Sequence, residues 1–394
     1  MKIAFIGQKG MPAKGGGVEK HVEELSIRLV KRGHEAIVYT RTNYTERKLG
    51  AYKGVKLVSL PNIKTKSLDA ITHTFMACLD VIFRKDIDIV HFHSIGPSSL
   101  IWLIKIFKPG TPIVATFHSQ CYLHKKWGLF ARLYLKFGEY SCCKFADKVI
   151  AISESLKKRT AEEYNVLSEY IPNAVMMRKK KLPKIIKAKW GLDKDGYILS
   201  VSRLVPVKGI HYIIGAYNEL KTNKKLVIAG DGAFNGEYIG ELERKSGGNE
   251  KIIFTGNLSG RELDELYSNA CLFVQASEVE GLSIALLEAM SFDLPVLVSD
   301  IRGNLDALGG RGLTFINKNT DDLKEKIKFA LANPKVIHKL AKEAKKRVVK
   351  HYDWEENIED VISVYHEAMS LKQKSFFNSF FVFKAIKKVA FRWK

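Results

Sequence analysis

The chain has 394 residues, of which 46% are apolar and 27% charged, so it is not a disordered, collagen-like or low-complexity polymer, and its length suits two domains. Its formal charge of +22 is unevenly placed. Residues 1–184 hold 32 basic and 15 acidic side chains, 185–369 hold 25 and 27, and 370–394 hold seven and none. A basic excess of this kind attracts nucleic acid, an anionic membrane or an anionic substrate, and composition alone does not separate the three.

Short β-branched runs alternate with amphipathic stretches from the first residue onward. KIAFIG (2–7) predicts a strand, a glycine-rich loop follows, and a helix is expected over 17–32. EAIVYT (35–40), DIDIVHF (86–92), TPIVATF (111–117) and DKVIAI (147–152) predict further strands with helical periodicity between them. That rhythm is the signature of a parallel sheet covered on both faces. It breaks near 172–193, where two prolines and a basic cluster interrupt the pattern, and restarts with YILSVS (197–202), KLVIAG (225–230), KIIFTG (251–256), CLFVQA (271–276) and LPVLVS (294–299). Helices are expected near 207–220, 236–246, 260–269, 282–291, 320–332 and 335–350.

The expected architecture is α/β, with two doubly wound Rossmann-like domains facing a cleft. The boundaries are 1–175 for the first domain, 176–194 for a linker and 195–350 for the second domain. A helix over 351–371 crosses back to the first domain, and an amphipathic tail of aromatic and basic residues covers 372–394. The five cysteines form no C-x-x-C, the chain opens on the strand-like MKIAFI, and no apolar run reaches the roughly 18 residues of a membrane span. A reducing, cytoplasmic setting without a disulfide framework is expected.

In such sheets the chemistry sits at the carboxyl ends of the strands. In ASEVEGLSIALLEAM (276–290), Glu280 precedes the expected helix and Glu288 lies on it. At about 1.5 Å per residue they stand roughly 12 Å apart, too far for a retaining glycosidase pair and suited to the two ends of one long polar ligand. The amides of Gly281, Leu282 and Ser283 open that helix and offer an anion site; the spacing also fits a dipole contact at Glu280 and a solvated Glu288. Arg203 and Lys208, in SVSRLVPVKG, could clamp a diphosphate or simply be two solvated cations. Gly15, Gly16 and Gly17 allow a backbone to approach a ligand but match neither G-x-G-x-x-G nor a P-loop. His118 ends one strand, and His91 and His93 end its neighbour. Each fits a hydrogen-bonded core histidine, and the three together could form a metal site. Asp86 with Asp88, and Asp193 with Asp195, read as solvated pairs away from the strand ends.

Taken in order and spacing, GQKGMPAKGGGVEKHVEEL, RGHEAIVYTR, DIVHFHSIGP, ADKVIAISE, YIPNAV, SRLVPVKG and the E-x7-E of EVEGLSIALLEAM resemble the family-4 retaining glycosyltransferases of the GT-B fold over about 1–370. The nearest likeness is to bacterial enzymes of surface or exopolysaccharide synthesis. The resemblance implies that Arg203 and Lys208 bind the donor diphosphate and that Glu288 takes the ribose hydroxyls. It implies that Glu280 and the 281–283 amides meet the donor sugar, that Leu258 lies against the base, that Gly16 and Gly17 lie near the phosphates and acceptor, and that His118 stands at the reacting centre. It further implies a nucleotide-diphosphate sugar donor, a UDP-sugar first among them. The acceptor would be a glycan or polyprenyl-diphosphate-linked glycan, with no cofactor, no metal and no nucleic acid as partner. Phe-His-Ser-Gln (117–120) departs from the usual Thr-His-Gly, which leaves sugar and acceptor identity open. The positive first half and the tail suggest peripheral docking on the anionic inner membrane surface. A nucleotide-sugar epimerase or phosphorylase of the same fold, and a non-catalytic basic protein, are the competing readings.

Overall fold

A computed structural model describes residues 1–394 except 66–67, 124–126, 233–235 and 391–394, with the backbone alone for 374–390. The chain divides into two units, Met1–Ile171 with Ile358–Lys394, and Pro172–Asn357.

The first unit runs β1 (Lys2–Ile6), α1 (Gly17–Lys31), β2 (Glu35–Arg41), β3 (Ala51–Tyr52), β4 (Val55–Leu60), α2 (Leu68–Phe83), β5 (Ile89–His93), α3 (Ile95–Ser98), α4 (Ile101–Phe107), β6 (Ile113–Phe117), α5 (Leu129–Phe145), β7 (Lys148–Ala151), α6 (Glu154–Tyr164) and β8 (Glu169–Tyr170). Its sheet has the order β3-β4-β2-β1-β5-β6-β7-β8, parallel except for the β3–β4 pair. Every residue of β5 (IVHFH) and β6 (IVATF) is buried, as a central strand covered on both faces requires. The strand order reverses between β1 and β5, which places the crevice for a ligand beside the ends of these two strands.

The second unit runs α7 (Ile185–Trp190), β9 (Tyr197–Val201), α8 (Ile210–Asn218), β10 (Lys225–Ala229), α9 (Gly236–Ser246), β11 (Ile252–Gly256), α10 (Gly260–Asn269), β12 (Leu272–Gln275), α11 (Ile284–Ser291), β13 (Val296–Ser299), α12 (Arg302–Leu308), β14 (Leu313–Phe315), α13 (Thr320–Ala332) and α14 (Pro334–His351). Its sheet, β11-β10-β9-β12-β13-β14, is parallel throughout and reverses order between β9 and β12. Ile198, Ile228, Leu272 and Leu297 of the strands pack with Ile213 and Ile214 of α8 and with Leu323 and Ile327 of α13 in one core. The last helix, α15, runs from Trp354 to Ala390 without a break at 371, and its residues from Ile358 onward belong to the first unit. The side chains expected to make the 372–394 tail amphipathic lie, from 374 on, outside the described residues.

Two expectations need correction. The segment 176–194 is not a free linker: it contains α7 and is held to α10 of its own unit. There the Glu265 carboxylate accepts the Ile185 amide at 2.7 Å, and the Arg178 guanidinium meets Asp264 at 2.5 Å. The strand expected at 86–92 begins at Ile89, because Asp88 accepts the Lys2 amide at 2.7 Å and Asp86 meets the Lys2 ammonium at 3.0 Å. This first D-x-D therefore pins the start of β1. Both pairs are exposed, as expected; at the second, Asp193 makes a surface ion pair with Lys187 at 2.7 Å and the Asp195 backbone amide donates to Asn269 O at 2.8 Å.

Candidate functional site

In the second unit the loops after β9 and β12, which flank the point of strand reversal, are locked together. Gly209 has φ +66°, and a Cβ there would lie 2.0 Å from the Ala276 carbonyl. The Glu278 amide donates to Val207 O at 2.8 Å. This approach brings Lys208 and Glu280, 72 residues apart, into an ion pair, with the Ser277 hydroxyl donating to the same Glu280 oxygen at 2.8 Å. Arg203 lies on the same β9 loop, is exposed, and has no ion pair among the described residues.

Glu280 and Gly281 sit under the backbone of α12, because a Cβ on Gly303 would fall 2.4 Å from Gly281 O and 2.6 Å from Glu280 O. Gly281, Leu282 and Ser283 are buried, and their amides have no acceptor among the described residues. Ser283 caps α11 by accepting the Leu286 amide at 3.3 Å and donates to Gln275 Oε1 at 2.7 Å. Gln275 Nε2 in turn donates to Asn304 Oδ1 at 2.9 Å, and Asn304 Nδ2 to Ser299 O at 3.0 Å. This buried polar chain ties the amino end of α11 to β12, β13 and α12, and a satisfied network of this sort holds a loop in one arrangement. Glu288, four residues into α11, is half-buried and accepts the Tyr267 hydroxyl at 3.2 Å. Burial, reinforced by Glu288, keeps that phenol far from ionising. Leu258 is half-buried between β11 and α10. Glu278, which the sequence reading passed over, accepts the Tyr212 hydroxyl at 3.1 Å and pairs with Lys318 at 3.2 Å.

In the first unit the glycine-rich stretch is a pinned loop rather than a flexible turn. Gly7 passes so close to β5 that a Cβ would lie 2.2 Å from His93 O. Glu19 accepts the Lys9 amide at 3.2 Å, and Tyr44 accepts the Lys14 amide at 2.6 Å and donates to Gly15 O at 3.3 Å. Gly16, at φ +100°, precedes α1 with no side-chain cap, and the Glu19 carboxylate occupies the space a Cβ there would need. Gly17 is the first residue of α1.

His118, at the carboxyl end of β6, is buried, with Nε2 3.0 Å from His93 Nδ1. The third imidazole whose nitrogen joins theirs is His21 of α1, its ring edge-on to His118 with centroids 5.1 Å apart; the His91 ring packs on His93 at 4.1 Å but its nitrogens bond elsewhere. His91 turns instead to the Tyr365 hydroxyl at 2.8 Å and the Thr116 hydroxyl at 2.7 Å. The triad weighed from the sequence (His91, His93, His118) is thus corrected to His21, His93 and His118, whose ligand atoms all lie within 4.8 Å of one another. One Zn²⁺ bound at about 2.0–2.1 Å would need these nitrogens to stand roughly 3.4 Å apart, whereas His93 and His118 here hydrogen-bond to each other. His21 carried no strand-end signal; only its place one and a half turns into α1 brings it to the two strand ends.

Burial, with the neighbouring imidazoles adding to it, holds His91, His93 and His118 well below the ordinary histidine range. Burial, with Arg41 beside it, pushes His73 of α2 down to about 4. These rings stay neutral in the fold, whereas the unfolded chain protonates near 6.5. Their contribution is therefore complete above pH 6.5 and is lost as the pH falls below it, by about 1.4 kcal/mol per pH unit for each ring. Urea unfolding of the first unit at pH 7.5 and 5.5 checks this: a clear loss is expected at 5.5, and equal stability at both would mean that the rings accept protons in place.

Both halves of the chain match known families. Residues 15–178 match the model for Glycosyltransferase Family 4, and residues 184–347 match that for Glycosyl transferases group 1. An uncharacterized glycosyltransferase of Methanocaldococcus jannaschii is 26% identical over 94% of this chain and 99% of its own length. An alpha-monoglucosyldiacylglycerol synthase of Streptococcus pneumoniae is 25% identical over 75% of this chain and 70% of its own. Among solved structures, Anabaena HepE in complex with UDP-glucose superposes with a TM-score of 0.75 at 18% identity, covering 95% of this chain and 100% of that one. Two Rossmann-like units carrying these two matches in this order have the GT-B fold, and the chain belongs to the glycosyltransferases of the family-4 and group-1 type.

Proposed function

We propose that the protein transfers a hexosyl unit from a nucleotide-diphosphate sugar, a UDP-sugar first, to a lipid-diphosphate-linked glycan in the synthesis of a bacterial surface polysaccharide. In this reading it retains anomeric configuration, uses no metal and works at the inner face of the membrane. The observation that carries the donor side is the locked loop pair of the second unit. Lys208 and the exposed Arg203 offer two cations at the point of strand reversal, beside buried amides at the amino end of α11. Such donors meet the charge that develops on a departing diphosphate, which is the work a divalent cation does elsewhere. Glu288 takes the ribose hydroxyls, Glu280 with the amides of Gly281, Leu282 and Ser283 takes the sugar, and Leu258 lies against the base. Gly16, Gly17 and His118 serve the acceptor side of the reaction. The UDP-glucose held by the Anabaena structure supports the donor class, and the diacylglycerol-based product named for the pneumococcal relative supports a lipid acceptor.

A donor panel tests the reading: UDP-, GDP-, ADP- and dTDP-sugars, with EDTA present, scored by thermal shift on wild type and Glu288→Ala. UDP-sugars are expected to stabilise the wild type by about 2.7 kcal/mol at one hundred times Kd, and the stabilisation is expected to vanish in the variant. The absence of a shift with every donor would overturn the reading.

A further inference from the structure

The outward face of α5 is apolar. Leu129 and Phe130 are 76% and 86% exposed, and Leu133, Phe137 and Tyr140 continue the row at 57%, 44% and 44%. The spacing from Phe130 to Tyr140 is three, four and three residues, so these side chains share one stripe. The helix cannot roll to hide them, because its other side is keyed into the unit. Leu135, Glu139, Cys142 and Cys143 are buried there, and a Cβ on Gly138 would lie 2.0 Å from the Ile95 carbonyl of α3. Helix α4 packs against α5 and adds Trp102, Ile106 and Phe107, all exposed. At 150–250 Å² for a large aromatic side chain, these eight residues together expose on the order of 800 Å², five of them in the single stripe on α5.

Charge identifies what covers it. The charged residues exposed on α5 are Arg132, Lys136 and Lys144, all basic. Its single acid, Glu139, is buried and bonded to Arg159 at 2.6 Å. Arg132 and Lys144 have no ion pair among the described residues, and the Lys136 ammonium lies 5.9 Å over the Tyr122 ring. An apolar stripe flanked by cations, with no exposed acid on the helix, is the composition of a helix that lies in the interface of an anionic bilayer.

We infer that α5, extended by α4, is a membrane-docking face that inserts its apolar stripe among anionic lipids while Arg132, Lys136 and Lys144 contact headgroups. The inference rests on the lipid-linked acceptor proposed above and names the surface that would meet it. In sequence, ten residues separate His118, at the end of β6, from Leu129 at the start of α5. The same chemistry predicts dependence on both apolar insertion and lipid charge.

The test is flotation of the full-length protein with vesicles of phosphatidylcholine alone and of phosphatidylcholine with phosphatidylglycerol in equal parts. It compares wild type, Phe130→Ser with Leu133→Ser, and Arg132→Glu with Lys144→Glu. Wild type is expected to float with the anionic vesicles and not with the neutral ones, with binding reduced at least tenfold in each double variant. The substituted residues are exposed, and an unchanged shift with the nucleotide sugar that stabilises wild type shows that the variants are folded. Undiminished flotation of the serine variant would overturn the proposal by assigning binding to another surface. A lack of flotation by wild type would overturn it, as would a self-associated wild type that the serine variant renders monomeric without altering lipid binding. Donor binding is read separately, so failure of the docking face is distinguished from failure of the glycosyltransferase reading.

Discussion

Replacing Lys208 by alanine is expected to lower donor turnover, read as nucleoside diphosphate released, by about 10²–10³-fold with a much smaller change in KM. In the proposed reading Lys208 supplies positive charge where the leaving group gains negative charge; in the structure it pairs with Glu280. Its loss removes the first effect and leaves Glu280 held by the Ser277 hydroxyl but without its cation. The double variant Lys208→Ala with Glu280→Gln separates the two roles. If Lys208 acts on the leaving group, the double variant stays as slow as Lys208→Ala. If Lys208 serves only to hold Glu280, the double variant is no slower than Glu280→Gln alone. Arg203→Ala complements this comparison. Arg203 is exposed and has no ion pair among the described residues, so its loss is expected to move stability by no more than about 0.5 kcal/mol while turnover falls. A fall in stability of several times that size would place Arg203 in the framework of the loop instead.

Gly209→Ala is expected to be the most damaging small substitution at this site, costing about 2–4 kcal/mol and at least about a tenfold loss of donor affinity. Two effects combine. Gly209 has φ +66°, where a non-glycine residue is strained, and its Cβ would meet the Ala276 carbonyl at 2.0 Å. That carbonyl belongs to backbone that leads directly to Glu280, so the clash is relieved only by moving the loop that carries the proposed sugar ligands. Gly256→Ala serves as the control. Gly256 also has a positive φ, +72°, but nothing lies within 4 Å of its Cβ position, so backbone strain alone acts there. The measurement is chemical unfolding of both variants together with donor titration. Equal losses in the two would show that the close approach of the β9 and β12 loops has no energetic weight.

The pairing of Lys208 with Glu280 could not be read from their neighbourhoods, yet both residues were recognisable as candidates. Each sits on a loop after a strand, and strand ends are legible from β-branched runs bounded by polar turns. The relative placement of the loops was not legible, because it depends on which strands are neighbours. The adjacency of β9 and β12, 70 residues apart in sequence, is a property of the sheet order. The same holds for the chain of Ser283, Gln275, Asn304 and Ser299, whose members carry no common motif and meet only through α12. Glu278, two residues before Glu280, was within reach of a closer reading of that segment.

By itself, then, the sequence determined the rhythm of strands and helices, the restart of that rhythm in the second half, and the order of the glycosyltransferase motifs. These are consequences of local periodicity and turn chemistry, which act over a few residues. Tertiary structure decided the rest. It placed His21 in the cluster where His91 had been expected, because a helix face selects one residue in three or four and only packing shows which face turns inward. It bound 176–194 to its own unit through Glu265 and Asp264, contacts about 80 residues away in sequence. It also left the stripe on α5 uncovered: an amphipathic pattern reports that a helix has two faces, whereas burial of Gly138 against Ile95 fixes which of them is exposed.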